Sequence, residues 1–145
     1  MVLRATTPLA LSGTPMSVND IRFRLLVTGS RDWPDKLMVE KTLDELVAFG
    51  MRLSHAGDVV IVHGACPRGG DKMADDWALE SGFAVEQYRA NWNALGRSAG
   101  FIRNKQMVDL GADLCIAFIY NKSRGASSCA DLAHRALIPV VRFIL

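Results

Sequence analysis

The sequence predicts an α/β fold, in which helices flank one doubly wound parallel sheet of about five strands. Short β-rich runs alternate with helix-period segments from residue 21 onward, a pattern typical of βαβ units. The run DVVIVHG at 58–64 is almost continuously apolar, as expected for a strand buried on both faces. The 145 residues fit one domain, which we predict over 20–145 after a flexible leader at 1–19.

The first half of the domain is predicted to hold three strands and two helices. Strand one is RFRLLV at 22–27, strand two is DVVIVHG, and strand three is FAVEQY at 83–88. The helix between strands one and two has apolar residues four and three positions apart, at Val39, Leu43, Leu46, Gly50 and Leu53. The next helix ends at Gly82, and its apolar face contains Met73, Ala74, Trp77 and Ala78.

The second half begins with RANWNALGRSAG at 89–100, which has no usable period and is predicted as a long loop. A helix over about 101–110 then leads to a strand at 113–119. The polar turn YNKSRGASS, a helix to about residue 137 and the strand PVVRFI complete the chain. With right-handed crossovers through four helices, the segments that follow the strands all meet at the carboxyl edge of the sheet, where such folds bind ligands.

Composition excludes several classes of protein. The three cysteines cannot all pair within the chain and show no CxxC spacing, so we expect a reducing compartment and neither a disulfide framework nor a structural zinc site. No apolar run approaches the roughly 20 residues that cross a bilayer. We therefore predict a cytoplasmic protein without a membrane span, metal or cofactor. The formal net charge of +2 neither requires nor excludes nucleic acid.

The segments after strands one and two carry candidate phosphate-binding residues. In TGSRDW, Gly29 and Ser30 offer backbone amides and a hydroxyl, and the Arg31 guanidinium can donate two hydrogen bonds to one phosphate. The alternative is a tight turn with a solvated arginine. In HGACPRGGD the candidates are Gly64, Gly69, Gly70 and Asp71. This segment matches neither GxGxxG nor a P-loop, which disfavours nicotinamide dehydrogenases and ATPases. Asp71 either complements the helix dipole or holds a ribose hydroxyl.

Two later segments add further candidates. GRSAGFIRNKQM places Arg97, Arg103 and Asn104 near a helix start, where positive charge opposes the dipole unless an anionic ligand is bound; a solvated basic face is the alternative. SRGASSCADLAH offers a second phosphate cradle, with a plain serine N-cap as the alternative. The candidate residues of that cradle are Gly125, Ser127 and Ser128.

Four segments in register resemble the SLOG superfamily, specifically its YspA-like branch. They are VTGSRDW, VHGACPRGGDKMADDWA, RANWNALGRSAGFIRNKQM and ADLCIAFI with SRGASSCADLA, and the resemblance covers about 22–143. It implies a Rossmann-like fold. The superfamily includes the LOG phosphoribohydrolases, which release a base from a nucleoside monophosphate, the DNA-processing protein DprA, and domains thought to sense nucleotide-derived signals. LOG proteins pair through helices, so the resemblance also implies a homodimer.

The resemblance further implies which parts of a LOG catalytic site are present. Arg103 in RNKQM matches the arginine that acts in base release. The turn NKSRGASS has Ala126 where threonine is usual and no glutamate before Asp131, so the carboxylate that would stabilise an oxocarbenium-like transition state is missing. We therefore expect binding or sensing of a nucleotide-like ligand without turnover.

Two alternatives remain open. One is a LOG-like hydrolase with Arg103 as a catalytic residue. The other is a DprA-like protein that binds single-stranded DNA, with Arg89 and Trp92 stacking on bases and Arg97 and Lys105 meeting phosphates. The other two tryptophans, Trp33 and Trp77, are predicted to be packing residues.

Overall fold

A computed structural model describes residues 22–54 and 58–145, so the predicted leader at 1–19 lies outside the described residues. Five parallel strands form one sheet in the order β3-β2-β1-β4-β5. The strands are β1 (Phe23–Gly29), β2 (Val59–His63), β3 (Ala84–Gln87), β4 (Leu114–Ile119) and β5 (Val140–Ile144). The predicted Rossmann-like α/β fold is confirmed.

Helices pack on both faces of this sheet. The longer ones are α1 (Lys36–Ser54), α2 (Gly70–Ser81), α4 (Ala99–Asp109) and α5 (Arg124–Arg135), and α3 (Trp92–Leu95) is a single turn. α1 contacts α2 on one face of the sheet, and α4 contacts α5 on the other. None of the described helices is long and apolar enough to cross a membrane.

The alternation of side chains along β1 divides the core into two layers. Phe23, Leu25 and Val27 pack with residues of α1 and α2, whereas Leu26 packs with residues of α4 and α5. The predicted stripe on α1 is confirmed where its side chains are described, because Val39 and Leu43 are fully buried and Leu46 packs against the same core. The side chain of Leu53 lies outside the described part. Both β1 and β4 are buried along nearly their whole length, as expected for central parallel strands.

The segment at 89–100 differs from the predicted loop. It contains α3 and a 3-10 turn at Gly96–Ser98, and α4 begins at Ala99 rather than near residue 101. Asn91 explains the extra helix, since its side chain accepts a hydrogen bond from the Ala94 N–H at 3.1 Å and caps the single turn. Likewise, α5 begins at Arg124, inside the predicted polar turn.

The strand order reverses between β1 and β4, and the two segments that follow these strands are tied together there. Ser30 is the link: its N–H donates to the Phe118 carbonyl at 2.9 Å, and its hydroxyl oxygen accepts from the Tyr120 N–H at 2.9 Å. In doubly wound sheets this switch point is where ligands bind.

Candidate functional site

A cavity of about 1030 Å³ opens at the carboxyl edge of the sheet. Its wall is formed by the segments that follow β1, β2, β3 and β4, together with the first turns of α4 and α5. Ten of the residues predicted to bind the ligand line it, namely Gly29, Ser30, Arg31, Gly64, Asp71, Arg97, Arg103, Asn104, Gly125 and Ser128. Gly69, Gly70 and Ser127 are not among the lining residues.

Gly69 and Gly70 do not line the cavity, but they contact the segment after β1 that does. The Gly70 N–H donates to the Ser30 carbonyl at 3.1 Å, and the Gly70 backbone lies directly against Gly29. Gly69 has φ 76° and ψ −150°, and a Cβ there would overlap the carbonyl oxygens of Ser30 and Arg31. The absence of side chains therefore allows the start of α2 to approach the segment after β1.

Asp71 holds two of the cavity segments in place. Its carboxylate oxygens accept hydrogen bonds from the Gly29 N–H at 3.1 Å and the Cys66 N–H at 3.3 Å. Burial raises the pKa of Asp71, although the nearby His63 and Arg103 and both hydrogen bonds act in the opposite direction. This bracing of the segments after β1 and β2 is a role that neither sequence hypothesis for Asp71 included.

The imidazole of His63 supports the same region from beneath. Its Nε2 lies 2.8 Å from an oxygen of Asp75, and its Nδ1 accepts from the Ala65 N–H at 3.0 Å. A ring nitrogen that accepts carries no proton, so the bonds indicate the tautomer with the proton on Nε2. Burial would raise the pKa of Asp75, but hydrogen bonds from Gln87 and His63 lower it.

Arg103 is held by hydrogen bonds from three directions. Its Nη1 donates to the Gly64 carbonyl and, at 3.3 Å, to the Tyr88 carbonyl, while Nε donates to Asn104 Oδ1 at 2.8 Å. Asn104 in turn donates to the Gly125 carbonyl at 3.3 Å. The remaining guanidinium nitrogen of Arg103, Nη2, makes no hydrogen bond to the described residues. The guanidinium is therefore positioned at the cavity wall with donors left for an anion.

The cavity lining is strongly basic. Among its described residues are two aspartates, Asp32 and Asp71, but six arginines. Asp32 lies 3.3 Å from Arg68, and both side chains are mostly exposed. The six arginines are Arg31, Arg68, Arg89, Arg97, Arg103 and Arg124. A concave surface with this excess of positive charge attracts anions.

The first turn of α5 adds backbone donors to this basic surface. Ser123 occupies the N-cap position but makes no side-chain cap hydrogen bond, so the predicted alternative of a plain serine cap is not realised. The Ser127 N–H already donates to the Ser123 carbonyl at 3.2 Å. The N–H groups of Arg124, Gly125 and Ala126 have no partner within the helix. Such groups, aided by the helix dipole, are suited to phosphate.

Three partly exposed aromatic residues complete the lining, namely Trp92, Phe101 and Tyr120. Trp92 was predicted from the sequence as a candidate, whereas Phe101 and Tyr120 were not. Tyr120 could have been found, because it directly follows a predicted strand at the carboxyl edge. Trp33 and Trp77 are only 2% and 7% exposed, which confirms that they are packing residues.

Neither a metal site nor a reactive buried thiol emerges from the described part of the chain. No group of three or more His, Cys, Asp or Glu residues in that part is arranged to hold a metal ion. All three cysteines are free thiols, and half-buried Cys66 lines the cavity. Burial raises the pKa of Cys129 to about 12 and also raises that of Cys115.

Comparison with known proteins found a match to a family and to a phage protein. The sequence model of the YspA, cpYpsA-related SLOG family matches residues 23–94. The "Gene 61 protein" of Mycobacterium phage D29 is 44% identical over 125 residues, which span 83% of this chain and 95% of the phage protein. No solved structure gave a significant match.

Proposed function

Because the chain belongs to the YspA, cpYpsA-related SLOG family, we propose that it binds or senses a nucleotide or nucleotide-derived ligand without turning it over. Family membership supports a role toward a nucleotide-related ligand. The observation that carries the proposal is the convergence of six arginines on one cavity at the switch point of the sheet. Phosphate groups match this surface, since each takes a charge-assisted pair of hydrogen bonds from a guanidinium.

The proposed place for a phosphate is the first turn of α5. Unpaired backbone N–H groups meet there with Arg124, and Asn104 connects the turn to Arg103 through the Gly125 carbonyl. An anion at this position would receive backbone donors beside the exposed Arg124, and the hydrogen-bonded guanidinium of Arg103 is connected to the same turn. The arrangement resembles other phosphate sites at helix N-termini in doubly wound folds.

The carboxylates at the cavity support binding rather than hydrolysis. Cleavage of an N-glycosidic bond needs a carboxylate free to stabilise the positive charge that develops on the sugar. Both Asp71 oxygens already accept backbone hydrogen bonds, and Asp32 is paired with Arg68. Among the described lining residues no glutamate occupies the position that would supply this charge.

Titration calorimetry with matched arginine variants tests the proposal. The probes are nucleoside mono- and diphosphates and ADP-ribose. Arg124→Gln removes an arginine of the cavity, whereas Arg135→Gln removes an exposed arginine at the opposite end of the same helix. We expect Arg124→Gln to weaken binding about tenfold, the loss of one charge-assisted hydrogen bond, and Arg135→Gln to leave it unchanged.

Four results would contradict the proposal. If no probe binds, or if both arginine variants weaken binding equally, the cavity is not the nucleotide site. Release of free base from a bound monophosphate, lost in Arg103→Ala, would favour the hydrolase instead. Binding of an oligonucleotide alone, with an affinity that falls steeply as salt increases, would favour single-stranded DNA.

A further inference from the structure

Trp92 differs from the other two tryptophans of the chain, which are both described. It is 48% exposed at the cavity, whereas Trp33 and Trp77 are buried and pack against Phe118 and Phe83, respectively. Phe101 lies at the same cavity and is 50% exposed. Large aromatic surface left open to water beside a polar cavity is typical of a binding site for a flat, apolar group.

The indole of Trp92 is held in place by neighbours on two sides. The Arg31 guanidinium carbon lies 5.6 Å from the indole centroid, a cation–π contact. On another side the indole packs close to Gly100, where an added Cβ would come within 3.2 Å of Trp92 Cη2. Asn91 caps the helical turn that carries the tryptophan. The position is therefore built into the structure rather than left to a free side chain.

α4 connects this aromatic surface with the anion-binding part of the cavity. Gly100 and Asn104 both line the cavity and lie on one face of α4, four residues apart. Gly100 contacts Trp92, and Asn104 bonds the Gly125 carbonyl in the first turn of α5. The two contact points are thus separated by a rise of about 6 Å along the helix. The aromatic surface and the first turn of α5 are therefore both contacted by α4, at points about one helical turn apart.

We infer that Trp92 is the platform on which the base of the ligand stacks, on the face of the indole opposite Arg31, with the phosphate at the basic end of the cavity. The inference rests on the proposed function and makes it more specific. The ligand must carry a base, so a sugar phosphate alone is a poor ligand. Stacking on an aromatic side chain is tolerant of base identity, and Trp92 thereby contributes affinity for nucleotides as a class.

Comparing ligands with and without a base tests this inference. The probes are AMP, GMP, CMP and UMP, each measured against ribose 5-phosphate by titration calorimetry. The variants are Trp92→Ala and Trp92→Phe, and the matched control is Leu95→Ala, an exposed apolar residue on the same helix that is not among the lining residues. Unfolding midpoints of all variants show whether each one is folded.

We expect the wild type to prefer at least one nucleotide over ribose 5-phosphate by about tenfold or more, the range of one stacking contact. Trp92→Ala should lose this preference while its affinity for ribose 5-phosphate stays unchanged. Trp92→Phe should keep most of the preference, and Leu95→Ala should keep all of it. Binding of the nucleotide should also quench tryptophan fluorescence in the wild type but not in Trp92→Phe, because the other two tryptophans are buried.

The outcomes separate this inference from the proposed function. If nucleotides bind and Trp92→Ala keeps the preference, the inference is overturned and the proposed function stands. Equal weakening of nucleotides and ribose 5-phosphate in Trp92→Ala would also overturn it, since Trp92 would then only support the cavity. If neither probe binds the wild type, both ideas fail. An oligonucleotide that binds through Trp92 when no mononucleotide does would replace them with DNA binding.

Discussion

Gly69 shows how one residue without a side chain determines the shape of the cavity. Gly69 was predicted to bind the ligand because it belongs to a glycine-rich segment before a helix. The structure instead places it against the carbonyl oxygens of Ser30 and Arg31. Sequence could indicate that the segment is tightly turned, but not that the close neighbour is another backbone segment about 40 residues earlier.

Replacing Gly69 with alanine should therefore destabilise the fold. Gly82→Ala is the matched control, since Gly82 has a similar φ of 79° but a Cβ there meets nothing within 4 Å. The control should lose about 1 kcal/mol of unfolding free energy for the left-handed backbone. Gly69→Ala should lose a further 1–3 kcal/mol, roughly, for the overlap with backbone atoms that cannot easily move and for its ψ of −150°, which the Gly82 position does not share. Urea denaturation measures both values, and equal losses would contradict the prediction.

Ser30, Asp71 and Arg103 show the same limit on prediction at the residue scale. Each was identified from sequence as a site residue, and each lines the cavity. Apart from the Asn104 side chain that Arg103 also contacts, their partners are backbone groups, including those of Tyr120, Gly29, Cys66 and Gly64. Backbone donors and acceptors occur at every residue and leave no trace in sequence. The convergence of these side chains was therefore predictable from topology, whereas their individual hydrogen bonds were not.

At the scale of elements, the strands were predicted better than the short helix. All five strands were predicted to within about two residues. The central strands β1, β2 and β4 were marked by apolar runs, because buried parallel strands tolerate little else. The four-residue helix α3 is too short to show a helical period, so its residues were assigned to a loop. Only the Asn91 cap marks its start, and asparagine is equally common in turns.

A buried arginine ties the edge strand β3 to the central strand β1. Arg24 extends from β1 across β2, and its Nη1 contacts Glu86 on β3, while its Nε donates to the Gly111 carbonyl at 2.9 Å. The Tyr88 hydroxyl donates to the other Glu86 oxygen at 2.6 Å. Burial would raise the pKa of Glu86, but the hydrogen bonds from Tyr88 and Arg24 outweigh it and lower that pKa.

This network should make stability depend on pH in a defined direction. A carboxyl whose pKa is lower in the folded than in the unfolded state stabilises the protein above its ordinary pKa, and that contribution is lost as pH falls through the folded value. Glu86→Gln should be less stable than wild type near neutral pH, and its stability should fall less steeply between about pH 6 and pH 3.

Urea denaturation across this range measures both effects. Glu80→Gln, an exposed position on α2, is the control and should follow the wild-type curve. Parallel curves for wild type and Glu86→Gln would show that the contact between β1 and β3 carries no net proton linkage.

For the whole molecule, the topology was predictable because alternating strands and helices with right-handed crossovers leave few arrangements of a parallel sheet. The same topology brought the arginines of distant segments to one edge. The formal net charge did not indicate that arginines cluster at this edge, since the chain as a whole carries only +2. The homodimer implied by the resemblance to LOG proteins stays a prediction, to be tested by sedimentation or light scattering.

The bonds between the segments after β1 and β4 have a consequence for folding kinetics. Ser30 and Tyr120 are separated by 90 residues, and contacts between such distant segments generally form late in folding. A ligand seated in the cavity would stabilise the native state without stabilising the transition state for folding. We expect a saturating nucleotide to slow unfolding while leaving the refolding rate unchanged, as measured by stopped-flow mixing with urea. Faster refolding would instead show that the cavity forms before the rest of the protein. If only unfolding slows, the ligand lengthens the lifetime of each folded molecule.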